Sequence, residues 1–143
     1  MSKFAQGTYL VRNRKKYVGR GEPRYRSGWE HAFMRFCDNN DNIIQWASES
    51  INIPYRNPLT GKNTIYVPDF FIQYRTKSNK VCTEIIEIKP KKQSVLESKA
   101  SARDRAAIAV NYAKWDAATK WCRRQGLVFR VITEDDIFKN GSK

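Results

Sequence analysis

The stretch Val67-Pro68-Asp69-Phe70-Phe71 and the later stretch Ile85-Ile86-Glu87-Ile88-Lys89 place acidic residues inside segments that otherwise predict buried strands. The surrounding positions carry the β-branched and aromatic residues that are typical of strands. An isolated charge in a buried strand costs free energy unless a partner or a metal ion compensates it. The two stretches therefore predict a functional site as well as two strands of the sheet.

Side-chain alternation along a strand indicates which of these groups share a face. Glu87 and Lys89 are two positions apart and point the same way, while Ile86 and Ile88 point to the opposite face. If the strand at residues 64–74 pairs with the strand at residues 81–89, Asp69 comes near Glu87. Two carboxylates beside a lysine form a site of hard oxygen ligands, which suits Mg²⁺ or Mn²⁺.

This arrangement favours metal-assisted phosphodiester hydrolysis as a hypothesis. Asp69, Glu87 and the backbone carbonyl of Ile88 would hold the ion, which lowers the pKa of a bound water. Lys89 would orient that water and stabilise charge on the phosphate. Glu30 is a further candidate ligand, directly or through a water, although a role in capping its own helix explains it equally well.

Working outward, the neighbouring segments predict an α/β domain. Ser27-Gly28-Trp29-Glu30 matches the capping box that begins a helix. Residues 43–54 predict a strand region, residues 58–63 a turn, and residues 64–74 the second arm of a hairpin.

A long helix follows the strand at residues 81–89, ends near Gly126 as a C-cap, and leads into a last strand at residues 127–132. The predicted order is αβββαβ in a single domain at residues 27–143, preceded by a basic N-terminal arm at residues 1–26. The apolar stripe predicted to face the sheet from the long helix comprises Ala106, Ala109, Val110, Ala113, Ala117 and Trp121.

Charge indicates the class of partner. The 143 residues contain 27 Lys and Arg against 14 Asp and Glu, a net charge of +13, which predicts a polyanion such as double-stranded DNA. A single His excludes sites built from several histidines, and no run of about 18 apolar residues predicts a membrane span. The candidate phosphate contacts are Arg12, Arg14, Lys15, Lys16, Arg20, Arg24, Arg26, Lys91 and Lys92.

Pro68-Asp69 followed by Glu87-Ile88-Lys89, with Glu30 on the preceding helix, resembles the PD-(D/E)xK nuclease family. The resemblance implies a restriction-endonuclease-like αβββαβ core with a mixed sheet flanked by helices. It also implies Mg²⁺ dependence, with Mn²⁺ as a substitute, and products with a 5′-phosphate. Residues 128–137 are similar to a segment of the amino-terminal endonuclease domain of Tn7-type transposition proteins.

A longer resemblance covers residues 25–71 and Glu87-Ile88-Lys89-Pro90, which are similar to the head completion nucleases of T-even-type phages. It implies endonuclease and exonuclease activity on packaged DNA, late in head assembly, before heads join tails. The implied location is the host cytoplasm, in association with the capsid or virion, and the implied protein partners are the portal or neck.

Two alternatives stay open at this point. Gly7-Thr8-Tyr9 and Tyr17-Val18-Gly19 resemble the two halves of a GIY-YIG nuclease, with Arg26 and His31 downstream. That family would leave the acidic pair unexplained. The other alternative is a non-catalytic DNA-binding or neck assembly protein, in which the acidic residues make only structural ion pairs.

Overall fold

A computed structural model of the protein describes residues 6–90, 101–133 and 135–136. Within these residues, no helix has both the length and the apolar character of a membrane span. In chain order the elements are β1 (Gly7–Thr8), β2 (Arg24–Tyr25), α1 (Gly28–Asn39), β3 (Ile43–Ser48), β4 (Ile53–Arg56), β5 (Asn63–Tyr66), β6 (Phe70–Arg75), β7 (Val81–Ile88), α2 (Ala102–Gln125) and β8 (Val128–Ile132).

The central sheet has the strand order β3-β6-β7-β8. The first two pairings are antiparallel and the pairing of β7 with β8 is parallel, so the sheet is mixed. Helix α2 forms the crossover that a parallel pair requires. The predicted αβββαβ order and the mixed sheet flanked by helices are confirmed.

The hairpin predicted from residues 43–54 and 64–74 exists, but residues 64–74 do not form the one strand that the pattern predicts. One arm divides into β3 and β4 and the other into β5 and β6, with β4 and β5 forming a separate two-stranded sheet. Glu49 adopts a left-handed backbone conformation with φ 49°, and Pro68 has no N–H to donate to a ladder. Both features interrupt strand pairing at the point where the chain leaves the central sheet.

Each face of the central sheet has its own apolar cluster. One face packs against α1, where Phe33 and Met34 meet Phe70, Ile86 and neighbouring side chains. The other face lies under α2 and the β4–β5 hairpin.

The stripe predicted to be the inward face of α2 is only partly correct. Ala109 is exposed, and the buried positions are Ile108, Asn111, Ala118 and Cys122. Alanine contrasts weakly with its neighbours in hydrophobicity, and a buried asparagine is invisible to an apolar pattern.

Residues 6–26 lie against the domain. Tyr17 forms a single parallel bridge with Trp46 at the outer edge of β3, and Val18 donates its N–H to the Trp46 carbonyl at 2.9 Å. Asp38, at the end of α1, accepts hydrogen bonds from the Tyr9 hydroxyl at 2.6 Å and from the backbone of the same segment. The separate arm at residues 1–26 stays a prediction, and the described part of that segment packs onto the core.

Candidate active site

Asp69 and Glu87 lie across from each other at one end of the central sheet. The last ladder pair between β6 and β7 is Phe70 with Ile86, so the next position of each strand brings Asp69 opposite Glu87. Phe70 and Ile86 face α1, and alternation therefore directs both acidic side chains to the α2 face. The prediction that Asp69 comes near Glu87 required the strands at residues 64–74 and 81–89 to pair. The antiparallel pairing of β6 with β7 meets this condition.

Hydrogen bonds fix both carboxylates. Asp69 Oδ2 accepts the Ile88 N–H at 2.7 Å, so a side-chain oxygen, rather than a backbone carbonyl, is the acceptor on the β6 side. Glu87 is 6% exposed, and its Oε1 accepts the Tyr66 hydroxyl at 2.7 Å. Lys89 Nζ lies 3.7 Å from Glu87 Oε2, on the predicted face. The Ile88 carbonyl is directed to the same side of the strand as its N–H, toward Asp69.

The electrostatics show two carboxylates that disfavour ionising together. Burial raises the pKa of Asp69 well above its ordinary value, and the charge of Glu87 raises it further. Burial also raises the pKa of Glu87, although the Tyr66 hydroxyl, Lys89 and Lys114 act in the opposite direction. A divalent cation between the two groups would compensate this repulsion.

The donor set fits Mg²⁺. Among residues 6–90, 101–133 and 135–136, no three His, Cys, Asp or Glu side chains converge into a complete ligand cluster. Mg²⁺ needs no such cluster, since it usually keeps several waters and binds one or two carboxylates together with substrate phosphates. Asp69, Glu87 and the Ile88 carbonyl present carboxylate and carbonyl oxygens of this kind at one end of the sheet.

Glu30 is the N3 residue of a variant capping box, in which its carboxylate accepts the backbone N–H one residue before the N-cap Ser27. Its backbone N–H donates to Ser27 Oγ at 3.2 Å, and its carboxylate accepts from Ser27 Oγ at 3.2 Å and from the Arg26 N–H at 3.4 Å. Burial raises the pKa of Glu30, and its charge in turn raises the pKa of Asp69. Glu30 is therefore both a capping residue and a member of the electrostatic environment of the acidic pair.

Two residues near the acidic pair carry no signal in the sequence pattern. Glu49 donates its N–H to the Asp69 carbonyl at 2.9 Å, and its carboxylate accepts two bonds from the Arg26 guanidinium at 3.0 and 3.1 Å. Lys114 of α2 places its Nζ 5.7 Å from the centre of the Tyr66 ring. Glu49 lies in a polar turn and Lys114 on a helix with several other basic residues, so only the fold brings them together.

Two comparisons with known proteins bear on this candidate site. Residues 40–134 match the model of the family described as TnsA-like endonuclease N terminal. The chain belongs to this endonuclease family. The head completion nuclease of Enterobacteria phage T4 is 35% identical to it over 150 aligned residues, which cover 96% of this chain and 96% of that protein. Both resemblances inferred from the motifs are confirmed.

The range that matches the TnsA-like endonuclease family contains Asp69, Glu87 and Lys89 and excludes Glu30. The roles of these four residues remain predictions that the geometry supports. The GIY-YIG alternative has no support in the structure, because Tyr9 and Tyr17 are buried in the core and the Tyr9 hydroxyl is bonded to Asp38.

Some of the basic residues predicted to contact phosphate already have a partner within the protein, and others do not. Arg14 pairs with Glu22, and Arg26 pairs with Glu49. Lys16 Nζ donates to two backbone carbonyls at the end of α1. Lys91 and Lys92 lie outside the described residues. The candidates that remain exposed, without an ion pair in the described part of the chain, are Arg12, Lys15, Arg20 and Arg24.

Proposed function

We propose that this chain is a Mg²⁺-dependent DNA nuclease, with Mn²⁺ able to substitute. The observation that carries the proposal is the Asp69–Glu87 pair, held opposite each other in the sheet with Lys89 beside them. Membership of the TnsA-like endonuclease family supports the same activity. Because the sequence shows no base-reading motif, we expect low sequence specificity on double-stranded DNA.

Each residue of the site has a role that follows from its contacts. Asp69, Glu87 and the Ile88 carbonyl would hold the ion, which when bound polarises the scissile phosphate and lowers the pKa of a water. Tyr66 fixes the Glu87 carboxylate through its hydroxyl. Lys89 is 26% exposed at its side chain, so its ammonium can reach solvent, orient the attacking water and stabilise charge on the phosphate.

The relative supports a proposal for the biological setting. The protein of phage T4 is named a head completion nuclease, and it is similar to this chain along almost its whole length. We propose that this chain also processes packaged DNA during head completion, with endonuclease and exonuclease activity. It would act in the host cytoplasm, at the capsid, with the portal or neck as protein partners.

A plasmid-nicking assay tests the activity. Wild type is expected to nick plasmid with Mg²⁺ or Mn²⁺ and not with EDTA. Asp69→Asn should lose about 10²–10³-fold or more in rate, the loss typical of removing a group that stabilises transition-state charge. Asn can still accept the Ile88 N–H through its side-chain oxygen, so the fold is retained. Lys77→Ala, in the turn that joins β6 to β7 at the far end of the sheet, is the control.

A thermal shift with metal gives a second readout that does not depend on cleavage. Saturating Mg²⁺ should raise the Tm of wild type, because it binds the folded state, and leave the Tm of Asp69→Asn unchanged. Equal shifts in both proteins would remove Asp69 from the metal site. DNA binding without cleavage under any metal would leave a DNA-binding assembly protein as the function.

A further inference from the structure

A groove with a volume of about 500 Å³ opens between residues 17–24 and the end of β3. Its walls include Tyr17, Arg20 and Arg24 on one side and Ser48 and Glu49 on the other. A volume of this size lies in the range of about 300–1,000 Å³ that is typical of ligand pockets. The nuclease chemistry described above makes no use of it.

The groove is positively charged although acidic residues line it. Glu22 is neutralised by Arg14, and Glu49 is neutralised by the two bonds from Arg26. Arg20 and Arg24 are exposed and make no ion pair within the described residues. The uncompensated charges of the groove are therefore two guanidinium groups, which bind phosphate oxygens through planar sets of N–H donors.

The walls of the groove are held in place by packing. Tyr17 is 8% exposed and packs edge-on against Trp46, with ring centroids 4.7 Å apart. A Cβ on Gly19 would lie 2.4 Å from the Tyr17 hydroxyl oxygen, so only glycine allows this close approach. Gly21, with φ 58°, turns the chain between the two arginines.

The groove adjoins the acidic pair through one backbone hydrogen bond. Glu49 lines the groove, and its N–H donates to the carbonyl of Asp69 at 2.9 Å. Glu49 therefore lies between the acidic pair and the groove, which leaves a short path from a phosphate at Asp69 and Glu87 to Arg20 and Arg24. We propose that the groove binds one nucleotide of the DNA strand beside the cleaved bond, with both arginines on its phosphate.

This inference rests on the proposed nuclease function, and its test is a binding measurement that needs no cleavage. The affinity for a fluorescein-labelled duplex is measured by anisotropy in EDTA at several salt concentrations. Arg20→Ala/Arg24→Ala should lower the affinity and reduce the slope of log K against log salt by about 1, since both arginines contact one phosphate and each lost phosphate contact reduces the slope by about 1. The charge-matched control Lys77→Ala/Lys80→Ala, at the opposite end of the sheet, should keep the wild-type slope.

A second variant blocks the groove and keeps both arginines. Ser50 is exposed and lines the groove, so Ser50→Trp fills its mouth. We expect it to reduce affinity and slope as the arginine variant does. The proposal is overturned if both variants bind with wild-type affinity and slope. Arginine-dependent binding by a wild-type protein that cuts no DNA would contradict the nuclease function alone.

Discussion

Asp38 is a fully buried carboxylate that anchors the amino-terminal segment. Its two oxygens accept the Tyr9 hydroxyl at 2.6 Å, the Arg12 N–H at 2.8 Å and the Asn13 N–H at 3.0 Å. Burial by itself would raise the pKa of Asp38, but these hydrogen bonds outweigh burial and hold the pKa below its ordinary 3.8. The ionised form is the one that the fold requires.

The substitution Asp38→Asn should destabilise the protein by about 1.5–3 kcal/mol at pH 7, since the amide of Asn places donors against donors. In the wild type, the folded state binds fewer protons than the unfolded state near pH 3.8 and below. The stability due to Asp38 is therefore complete above pH 3.8 and is lost as the pH falls through the lowered pKa. Urea unfolding of both proteins from pH 7 to pH 3 should show the difference narrowing below about pH 4. A difference that stays constant would contradict the role given to the ionised carboxylate.

At the Asp69–Glu87 pair, the sequence predicts the two carboxylates and the neighbouring lysine. The structure adds the residues from other elements that act on them. Alternation along β7 is a local rule, so it correctly places Glu87 and Lys89 on one face. The Tyr66 hydroxyl bonds to Glu87 from a separate hairpin, and the charge of Lys114 on α2 lowers the pKa of Glu87. Such contacts depend on the long-range arrangement of elements, and no pattern in a single sequence contains them.

At the scale of elements, the structure confirms the predictions of helix ends, which rest on residues close together in the sequence. The capping box predicts the start of α1, and Gly126, with φ 74°, ends α2. The divided hairpin could not be predicted, because it arises where β4 and β5 leave the central sheet to pack under α2. That division places Asp69 immediately before β6, where its side chain, rather than a backbone carbonyl, accepts the Ile88 N–H.

Helix α1 allows a test that separates capping from catalysis. Glu30→Gln retains a side chain that can complete the capping box but removes the charge that acts on Asp69. We expect the free energy of unfolding to change by less than about 1 kcal/mol while cleavage falls sharply. Plasmid nicking and urea unfolding, measured on the same preparation, give both quantities.

Ser27→Ala is the matched control for that experiment. It removes the N-cap oxygen that accepts the Glu30 N–H and should cost about 1 kcal/mol of stability. The Glu30 carboxylate loses the hydrogen bond from Ser27 but keeps its charge and the bond from the Arg26 N–H, so we expect cleavage to persist. Full activity in Glu30→Gln would assign Glu30 to capping alone.

Over the whole molecule, the acidic residues near the candidate site form a cluster that contrasts with the overall positive charge. Glu30, Glu49, Asp69 and Glu87 act on one another electrostatically at one end of the sheet. The excess of basic residues gives the net charge of +13. The positive surface would concentrate DNA near the protein, and the acidic cluster would keep a DNA phosphate at a distance until a divalent cation is bound.

Salt should therefore affect binding and cleavage differently. If 6–10 phosphates are contacted, raising the salt from 50 to 200 mM lowers the affinity by about 10³–10⁵-fold, because counterions condensed on DNA are released on binding. We expect kcat/KM to fall in parallel with the affinity. The single-turnover rate at saturating protein should stay nearly constant, since buried charges are screened much less than exposed ones. A single-turnover rate that falls as steeply as the affinity would show that the exposed basic residues also take part in the chemical step.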